Sequence, residues 1–373
     1  MIYIISFLRR LKLKTAMFTS LPIAIIASLI FGDLMVFLVL YPWLSISLYA
    51  ISFWLNHRSK ASATGPACKI CGFPHSLLLY PSRKKNNSQD TGSFACSSFD
   101  HGHYPDIYYC PECKNGFLKP IALNDETFIK NGESLYSDVV DEEYLKNIDA
   151  RYMTNRKIAK KYNENLECKD ILEIGCYYGA FLEPAQEIVN SYTGIEPSRH
   201  ACEYLTEKWK DKSDKINIIN GTLEAAIENG LVKDASFDTI VLWDVIEHVP
   251  DPIHTLKNIQ RLLKPSGKVL FSTINIEASF ALGMGPIWPW FMDMHYYYFS
   301  DRGYVDMLHR SGFVLKEHAH FPYYTYASYF FKKVWSIAFG KPWIPSFLEK
   351  KLQFPIPIKL GDTVMITGIK VDS

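Results

Sequence analysis

The pattern of hydrophobic and polar positions divides the chain into regions of different character. From about Asp170, short apolar runs alternate with amphipathic stretches, which is typical of a β-α-β succession and predicts a parallel sheet covered by helices. The predicted strands are Asp170–Ile174, Tyr192–Ile195, Ile216–Ile219, Phe237–Trp243, Lys268–Ser272, Phe313–His320 and Thr363–Lys370. A long aromatic segment, rather than a simple hairpin, separates the last two. We therefore expect residues 151–373 to form one α/β domain.

The first 60 residues have a different pattern. Between Thr15 and Asn56 the only ionisable acid or base is Asp33, whereas both flanks are basic. Residues 34–55 would span about 33 Å as a helix, which is enough to cross a bilayer. Because Lys and Arg mark cytoplasmic flanks, we favour a transmembrane helical hairpin over residues 1–60, with its turn at Gly32-Asp33 and the catalytic domain facing the cytoplasm. A single span preceded by an interfacial segment is the alternative.

Composition and charge exclude several classes of protein. The chain has 373 residues, of which 48% are hydrophobic and 14% aromatic, as in a folded protein of about two domains. Its 40 Lys and Arg residues nearly balance 39 Asp and Glu residues. This balance lacks the basic excess of a nucleic-acid-binding protein, so we expect no nucleic-acid partner.

Two pairs of cysteines have the spacing of a metal site. Cys68 and Cys71 form one CxxC pair, and Cys110 and Cys113 form another. Four thiolates close a tetrahedral zinc site with no open position for substrate, so residues 61–150 are predicted to be a structural zinc ribbon and linker. The alternative is two disulfides in an extracellular domain, which the basic flanks and the reducing cytosol disfavour. Second-choice ligands are Cys96, His101 and His103.

The ends of the first two predicted strands carry the residues of a nucleoside site. Gly175 and Gly179 follow the first strand, where glycines let the backbone approach a ligand. Glu196 follows the second strand, where a carboxylate can accept both hydroxyls of a ribose. The glycine spacing is not GxGxxG, and a glycine loop alone does not separate a dinucleotide from S-adenosylmethionine.

Later segments carry a family resemblance. Residues 237–252 (FDTIVLWDVIEHVPDP) and 262–273 (LLKPSGKVLFST) closely resemble the fourth and fifth strand motifs of class I S-adenosylmethionine-dependent methyltransferases. Residues 295–300 (HYYYFS) and 311–313 (SGF) look like the ending of the ubiquinone O-methyltransferase-like branch, methyltransferase type 11/23. The two CxxC pairs resemble the zinc-ribbon leader of many of these enzymes. The resemblance implies a seven-stranded Rossmann-like methyltransferase sheet and S-adenosylmethionine as the cofactor.

The resemblance also implies roles for individual residues. Around the methionine it places Glu173, Gly175, Cys176 and Gly179. It assigns the ribose to Glu196, the adenine to Thr222 and Leu223, and closure of the cofactor pocket to Trp243 and Asp244. One departure from the family is that Tyr177 replaces the usual middle glycine of the loop.

A group of acids and histidines is the candidate for acid–base or metal chemistry. On a helix, Asp244, Glu247 and His248 would share one face, where they could converge with His295 from a later loop. Such a set suits a divalent cation, Mg or similar, that orients and acidifies a substrate hydroxyl. The alternative is that His295 or His248 acts as a general base, or that these side chains are structural.

The aromatic insertion at residues 321–360 points to a membrane-proximal site. Its Tyr, Phe and Trp residues are interleaved with lysines, which is the composition favoured at membrane interfaces, although a lid on the catalytic domain would also explain it. We therefore expect a membrane-anchored enzyme that O-methylates a lipid-linked sugar or isoprenoid intermediate. Alternatives are a C- or O-methyltransferase of a soluble nucleotide-activated sugar, or a non-catalytic zinc-ribbon scaffold.

Overall fold

The computed structural model describes residues 63–83, 99, 103–118 and 141–371. The predicted membrane hairpin at residues 1–60 lies outside this part of the chain. Within the described residues, no helix combines the length and the apolar character that a bilayer-crossing segment needs.

The described strands and helices are as follows. The strands are β1 Ala63–Gly65, β2 Ser76–Tyr80, β3 Ile107–Tyr109, β4 Gly116–Leu118, β5 Asp170–Ile174, β6 Ser191–Glu196, β7 Ile216–Asn220, β8 Phe237–Trp243, β9 Leu263–Ile274, β10 Tyr297–Tyr298, β11 Phe313–His320, β12 Tyr323–Tyr326, β13 Pro355–Ile358 and β14 Thr363–Lys370. The α-helices are α1 Glu142–Lys146, α2 Ile148–Lys161, α3 Asn163–Leu166, α4 Leu182–Ala185, α5 Arg199–Lys208, α6 Leu223–Glu228, α7 Pro252–Leu262, α8 Ser279–Met284, α9 Asp301–Arg310, α10 Ala327–Phe339 and α11 Ser346–Lys351.

All seven strands predicted for residues 151–373 are present, and they form one sheet. Its order is β11-β14-β9-β8-β5-β6-β7, and β5, β8, β11 and β14 have the predicted bounds. Pairing is parallel from β7 to β9, whereas β14 is antiparallel to both of its neighbours. Helices cover both faces of a parallel sheet, so successive side chains of its strands are all buried. Such strands therefore consist of continuous apolar runs, as observed here. The predicted α/β Rossmann-like class is confirmed.

The strand order places the candidate site at the carboxyl ends of the central strands of this sheet. After β5 the chain moves outward through β6 to β7, and it then returns to the other side of β5 to form β8 and β9. Loops that leave the carboxyl ends of β5 and β8 therefore diverge and open a crevice, which is where ligands bind in sheets of this kind. The glycine loop follows β5, Glu196 is the last residue of β6, and Glu247 and His248 follow β8.

The cysteine-containing region joins the catalytic domain through a second sheet. Strands β1, β2, β3 and β4 continue into β10, whose residues directly follow the 295–296 loop. Buried Cys110, Cys113 and Phe117 share a hydrophobic core with residues of β8 and α9. The boundary predicted at residue 150 stays a prediction, but packing is continuous across it.

The aromatic insertion is a compact unit between β11 and β14. Strand β12 pairs antiparallel with β13, and helices α10 and α11 lie between them in the chain. The backbone N–H of Tyr324 donates to Thr154 Oγ1 at 2.7 Å, so the insertion is joined to α2.

Candidate functional site

The loop after β5 is held against the end of β6 by its backbone. Gly175 has a φ of +74°, and its N–H donates to the carbonyl of Ile195 at 2.8 Å. A Cβ at this position would lie 2.6 Å from Val245 Cγ2, so only glycine fits between the two loops. The crevice between β5 and β8 is therefore narrow at Gly175.

Glu196 lies at the end of β6 and faces this loop. Its carboxylate accepts the backbone N–H of Tyr177 and that of Ser198, both at 2.8 Å. Burial raises the pKa of Glu196 to about 7, against the lowering effect of these two hydrogen bonds. The carboxylate is thus fixed in position, and each oxygen retains a lone pair that can accept a ribose hydroxyl.

Three further residues of the predicted cofactor region lie in the loop or in the strand before it. Glu173 is buried and accepts the hydroxyl of Tyr192, and burial raises its pKa to about 8. Cys176 is buried, and burial also raises the pKa of its thiol, so it lacks the properties of a nucleophile. Gly179 packs against Leu205 of α5 with a φ of +72°.

Tyr177, the departure from the family pattern, belongs to an aromatic cluster. Its φ is +43°, and its ring lies 4.7 Å from the rings of both Tyr144 and Tyr178. The guanidinium of Arg151, on α2, lies 4.0 Å from the centre of the Tyr144 ring. Sequence reasoning missed Tyr144 and Arg151, because only the tertiary fold brings their helices to the glycine loop.

The residues predicted to contact adenine and to close the pocket follow β7 and β8. Thr222 accepts the backbone N–H of Ala225 and so caps α6, and Leu223 is buried. Trp243 packs against Phe181, with 5.1 Å between ring centres. Within the described part of the chain, Trp243 Nε1 is buried and lacks a hydrogen-bond partner. An acceptor on a bound ligand would satisfy this N–H, so the site fits an adenosyl cofactor.

The segment after β8 corrects one prediction. Residues 244–250 form turns rather than the expected helix. Asp244 has a φ of +55° and accepts the hydroxyl of Ser272 at 2.7 Å, and it is not part of the group in which Glu247, His248 and His295 lie close together. Asp244 is exposed at the surface, and desolvation by the surrounding protein raises its pKa. The prediction of a shared helical face was therefore wrong for Asp244.

The other three residues of the predicted group do converge. One ligand atom from each of Glu247, His248 and His295 lies within 4.8 Å of the other two, and the imidazole centres are 4.5 Å apart. The Nδ1 of His248 lies 3.0 Å from the carbonyl of Met294, and the Nδ1 of His295 lies 2.9 Å from that of Trp290. Because a carbonyl only accepts, each Nδ1 carries the proton and each Nε2 keeps a lone pair.

Burial sets the charge of this group. It lowers the pKa of His248 to about 4 and that of His295 well below the ordinary value, so both imidazoles are neutral near pH 7. Burial and the nearby Asp244 raise the pKa of Glu247 to about 8. Thr273 Oγ1 lies 3.0 Å from a Glu247 oxygen and orients the carboxyl group. The arrangement can accept a proton or hold a cation.

Sequence reasoning missed the residue that anchors the loop before His295. A single oxygen of Asp362 accepts the indole N–H groups of Trp288 and Trp290, each at 3.0 Å. The backbone carbonyl of Asp362 accepts the N–H of Asn275 at 2.8 Å. The Trp-Pro-Trp motif was visible in the sequence, but its carboxylate comes from the start of β14, beyond the whole insertion.

The four predicted zinc ligands come together in the cysteine-containing region. The sulfurs of Cys68 and Cys113 are 3.6 Å apart, those of Cys71 and Cys110 are 3.5 Å apart, and all four lie within 4.8 Å of one another. Tetrahedral zinc with bonds of about 2.3 Å requires sulfurs about 3.8 Å apart, so the set fits the metal. None of the four thiols is in a disulfide, so the two disulfides considered as the alternative to a zinc site are not observed.

The backbone supports this arrangement of sulfurs. In one turn the N–H of Gly72 donates to the carbonyl of Cys68, and in the other Lys114 donates to Cys110, both at 2.8 Å. Both donors have positive φ. Of the second-choice ligands, Cys96 and His101 lie outside the described residues, and His103 bonds to the carbonyl of Arg83.

The central part of the chain is similar to known methyltransferases. Residues 144–318 match the model of a methyltransferase domain family. The ubiquinone biosynthesis O-methyltransferase of Actinobacillus pleuropneumoniae is 32% identical over 108 residues, which cover 29% of this chain and 46% of that protein. The protein of the same name from Rickettsia akari is 30% identical over 129 residues, which cover 34% and 49%. The chain thus spans about half the length of the relatives that it matches.

Solved structures also align with the chain. The YcgJ protein of Bacillus subtilis aligns with a TM-score of 0.43 at 17% identity, covering 59% of this chain and 99% of that one. A possible histamine N-methyltransferase of Thermotoga maritima aligns with a TM-score of 0.38 at 21% identity, covering 66% and 97%.

Proposed function

We propose that this chain, whose residues 144–318 form an S-adenosylmethionine-dependent methyltransferase domain, methylates a hydroxyl oxygen of a lipid-borne acceptor, such as a lipid-linked sugar or isoprenoid intermediate. The observation that carries the proposal is the group of Glu247, His248 and His295 at the end of β8. A hydroxyl loses a proton when it is methylated, and this group offers two imidazole lone pairs to receive it. The name of the relatives, ubiquinone biosynthesis O-methyltransferase, supports the same type of acceptor.

The residues of the chain have distinct tasks in this reaction. The sulfonium of the cofactor supplies an already activated methyl group. Glu196 accepts the ribose hydroxyls, and the loop from Gly175 to Gly179 leaves room for the methionine part. In the transfer, the acceptor oxygen forms a bond to the methyl carbon as the sulfur–carbon bond breaks. The hydroxyl proton passes to Nε2 of His295 or His248, and the carboxylate form of Glu247 stabilises the resulting imidazolium.

The same three side chains fit a divalent cation. Two neutral imidazoles and one carboxylate are common ligands, and hydrogen bonds from each Nδ1–H to a backbone carbonyl orient imidazoles at metal centres. A bound cation would supply Lewis-acid polarisation of the acceptor hydroxyl. Asp244 is not part of this ligand group.

The proposal also includes the four-cysteine site and the membrane anchor. The four-cysteine site holds zinc in a small ribbon, and the hairpin at residues 1–60 anchors the chain with the catalytic domain on the cytoplasmic face. In this arrangement the acceptor reaches the crevice from the bilayer. The close packing of the four sulfurs supports the zinc, and the apolar stretch before residue 56 supports the anchor.

The first experiment determines whether the methyl acceptor is a lipid or a water-soluble molecule. Membranes that contain the protein are incubated with methyl-labelled S-adenosylmethionine, and the label is partitioned between organic, aqueous and protein fractions. We expect label in the organic phase, and much less of it with the Glu196→Ala variant. Label confined to the aqueous phase would contradict a lipid-borne acceptor and would point to a soluble sugar or other metabolite.

A second experiment tests the histidine group once turnover is measurable. We expect His295→Ala to lower kcat about 10²- to 10⁴-fold, the usual contribution of a general base, while cofactor affinity is retained. His254→Ala, an exposed histidine on α7, is the matched control. If a chelator abolishes turnover and Mg²⁺ or Mn²⁺ alone restores it, the group holds a cation. If turnover survives the chelator, the imidazole is the base, and unchanged turnover in His295→Ala would overturn both roles.

A further inference from the structure

The outer face of the insertion exposes an unusual number of aromatic rings. Phe339 is 38% exposed, Trp343 52%, Phe347 61% and Phe354 48%. Among the strongly exposed large hydrophobic residues of the described chain, every phenylalanine and tryptophan lies between residues 339 and 354. Exposed apolar side chains that are grouped in this way mark an interaction site, whereas single ones are ordinary.

Lysines surround these rings. Lys341, Lys350, Lys351 and Lys359 are exposed. The only acid between residues 339 and 360 is Glu349, and its carboxylate pairs with Lys332 on α10. The face is therefore apolar and positively charged, without a free carboxylate between these residues to oppose the charge.

The aromatic residues are held by a defined structure. Helix α10 ends at Phe339 and is capped by Gly340, which has a φ of +80° and whose N–H donates to the carbonyl of Ser336 at 2.7 Å. Within the helix, the Trp335 ring lies 4.3 Å from that of Phe339, four residues later. After the left-handed cap, the chain brings the Trp343 ring to 5.1 Å from that of Trp335. Contacts with Trp335 thus hold the exposed rings of Phe339 and Trp343 in place.

The inner side of the same insertion reaches the crevice. The ammonium of Lys157 lies 4.4 Å from the centre of the Tyr324 ring, which joins β12 to α2. Next to Tyr324, Tyr323 interacts electrostatically with both Asp244 and Arg151, and burial raises the pKa of its hydroxyl. One face of the insertion therefore borders the candidate active site, and the exposed rings lie in the α10–α11 part of the same unit.

We propose that an anionic lipid bilayer binds the aromatic–lysine surface, defined here as Phe339, Trp343, Phe347, Phe354 and the four exposed lysines. Aromatic rings favour the interfacial zone of a bilayer, and lysines are attracted to anionic headgroups. The chain before the described residues includes the apolar stretch from Thr15 to Asn56, which is predicted to hold the protein at a membrane. The surface lies beyond residue 318, where the family match ends.

This inference goes beyond the proposed function, because bilayer binding does not depend on which acceptor is methylated. Because the predicted hairpin would keep the full chain on membranes by itself, the test must report on the surface directly. We choose an environment-sensitive fluorophore on Phe347→Cys, in the full chain reconstituted into phosphatidylcholine vesicles with about 30% phosphatidylglycerol. The background carries Cys168→Ser, because Cys168 is the exposed free cysteine among the described residues.

Two quantities are measured, the emission wavelength and the quenching by spin-labelled lipid. We expect a blue shift and strong quenching at position 347, and neither on Leu231→Cys, an equally exposed residue elsewhere on the domain. Reversing the charges of Lys341, Lys350 and Lys351 to Glu should weaken the quenching several-fold. The same reversal at exposed Lys210, Lys233 and Lys257 should leave it unchanged.

Other outcomes would overturn the inference. Emission at position 347 that stays at the wavelength of the label in water would show that the surface does not enter the bilayer. A blue shift without quenching by lipid would show that protein, such as a second copy of this chain, covers the surface instead. Cofactor binding, measured on the same samples, separates a failure of this inference from a failure of the methyltransferase assignment.

Discussion

At the scale of single residues, the cofactor region depends on a carboxylate that the backbone holds in place. Glu196 accepts two main-chain N–H groups, one of them from Tyr177 in the glycine loop. The contact uses the backbone of residue 177 and not its side chain, so the loop can orient Glu196 although the usual middle glycine is absent. The aromatic ring of Tyr177 packs on Tyr144 and Tyr178 instead.

This geometry predicts different effects for two substitutions. Glu196→Ala should weaken S-adenosylmethionine binding at least about tenfold, because hydrogen bonds to a charged group contribute about 1.5–3 kcal/mol. Tyr177→Gly should retain binding, because glycine keeps the N–H and adopts a φ of +43° without strain. Titration calorimetry measures both affinities. Unchanged affinity in Glu196→Ala would refute the ribose role. Failure of the unsubstituted protein to bind S-adenosylmethionine, with its zinc intact, would favour a non-catalytic scaffold.

At the scale of elements, side chains from distant parts of the chain join strands and loops. Lys264, in β9, lies 2.8 Å from a carboxylate oxygen of Asp170 and 2.9 Å from one of Asp238, at the beginnings of β5 and β8. Asp362, before β14, joins the loop that supplies the carbonyl partner of His295. The Lys264 contact joins β9 to the two strands, β5 and β8, between which the strand order reverses, and the Asp362 contact joins β14 to the loop before β10.

The Lys264 contact predicts a pH-dependent stability. Lys264, together with Asn190 and Ser191, lowers the pKa of Asp170 to about 2. The folded state therefore binds a proton less readily than the unfolded state, so this stability is complete above about pH 4 and is lost as the pH falls towards 2. Lys264→Met should lower the free energy of unfolding by about 0.5–1 kcal/mol at pH 7, because the group is partly exposed. The deficit should shrink in denaturant titrations near pH 3, and a constant deficit would contradict this explanation.

The Asp362 contact predicts a larger effect. Asp362→Ala would leave the Trp288 and Trp290 indole N–H groups without their acceptor, at a cost of about 2–4 kcal/mol in the free energy of unfolding. Asp362→Asn retains an acceptor oxygen and should lose less than half of that. Denaturant unfolding of both variants measures the difference. Equal losses in the two variants would show that the negative charge, and not the hydrogen bonds, is what stabilises the loop.

At the scale of the whole molecule, the cysteine-containing region and the catalytic domain stabilise each other. Strand β4 pairs with β10, which begins two residues after His295. The backbone N–H of Ser300 donates to the side-chain oxygen of Asn115 at 2.8 Å. The buried cysteines share one hydrophobic core with β8 and α9. A metal held by the four sulfurs would therefore act on the position of His295 as well as on the ribbon.

This coupling predicts that loss of the cysteine site destabilises the catalytic domain. Purified protein should contain about one zinc per chain, and Cys110→Ser should lose it. The thermal unfolding temperature should then fall by more than about 5 °C, because metal binding contributes to folding. Cys168→Ser, on an exposed cysteine, is the control. Metal analysis and calorimetry measure both, and equal unfolding temperatures in the two variants would show that the regions are independent.

The helix predicted after β8 shows where sequence patterns fail. Asp244, Glu247 and His248 have helical spacing, yet the chain forms turns there with Asp244 at a positive φ. Ser272 of the neighbouring strand contacts Asp244 through its hydroxyl, and residue 247 contacts the backbone of Tyr296 through its carbonyl. Hydrogen bonds from distant residues thus outweigh the local spacing. Glu247, His248 and His295 nevertheless converge, but the turn after β8 and the hydrogen bond from Tyr296 bring them together instead of the helical face on which the prediction rested.

The sequence by itself determined the seven strands, the glycine loop with Glu196, and the four sulfurs as a set. Apolar runs, glycines and CxxC pairs are local signals, and burial in a parallel sheet or binding of one metal leaves few other arrangements for them. Only the tertiary structure decided which atoms meet. The tautomer of His248, set by the carbonyl of Met294, and the anchoring of Trp288 and Trp290 by Asp362 both depend on residues far apart in the chain. Such contacts form when packing closes long loops, which no local pattern encodes.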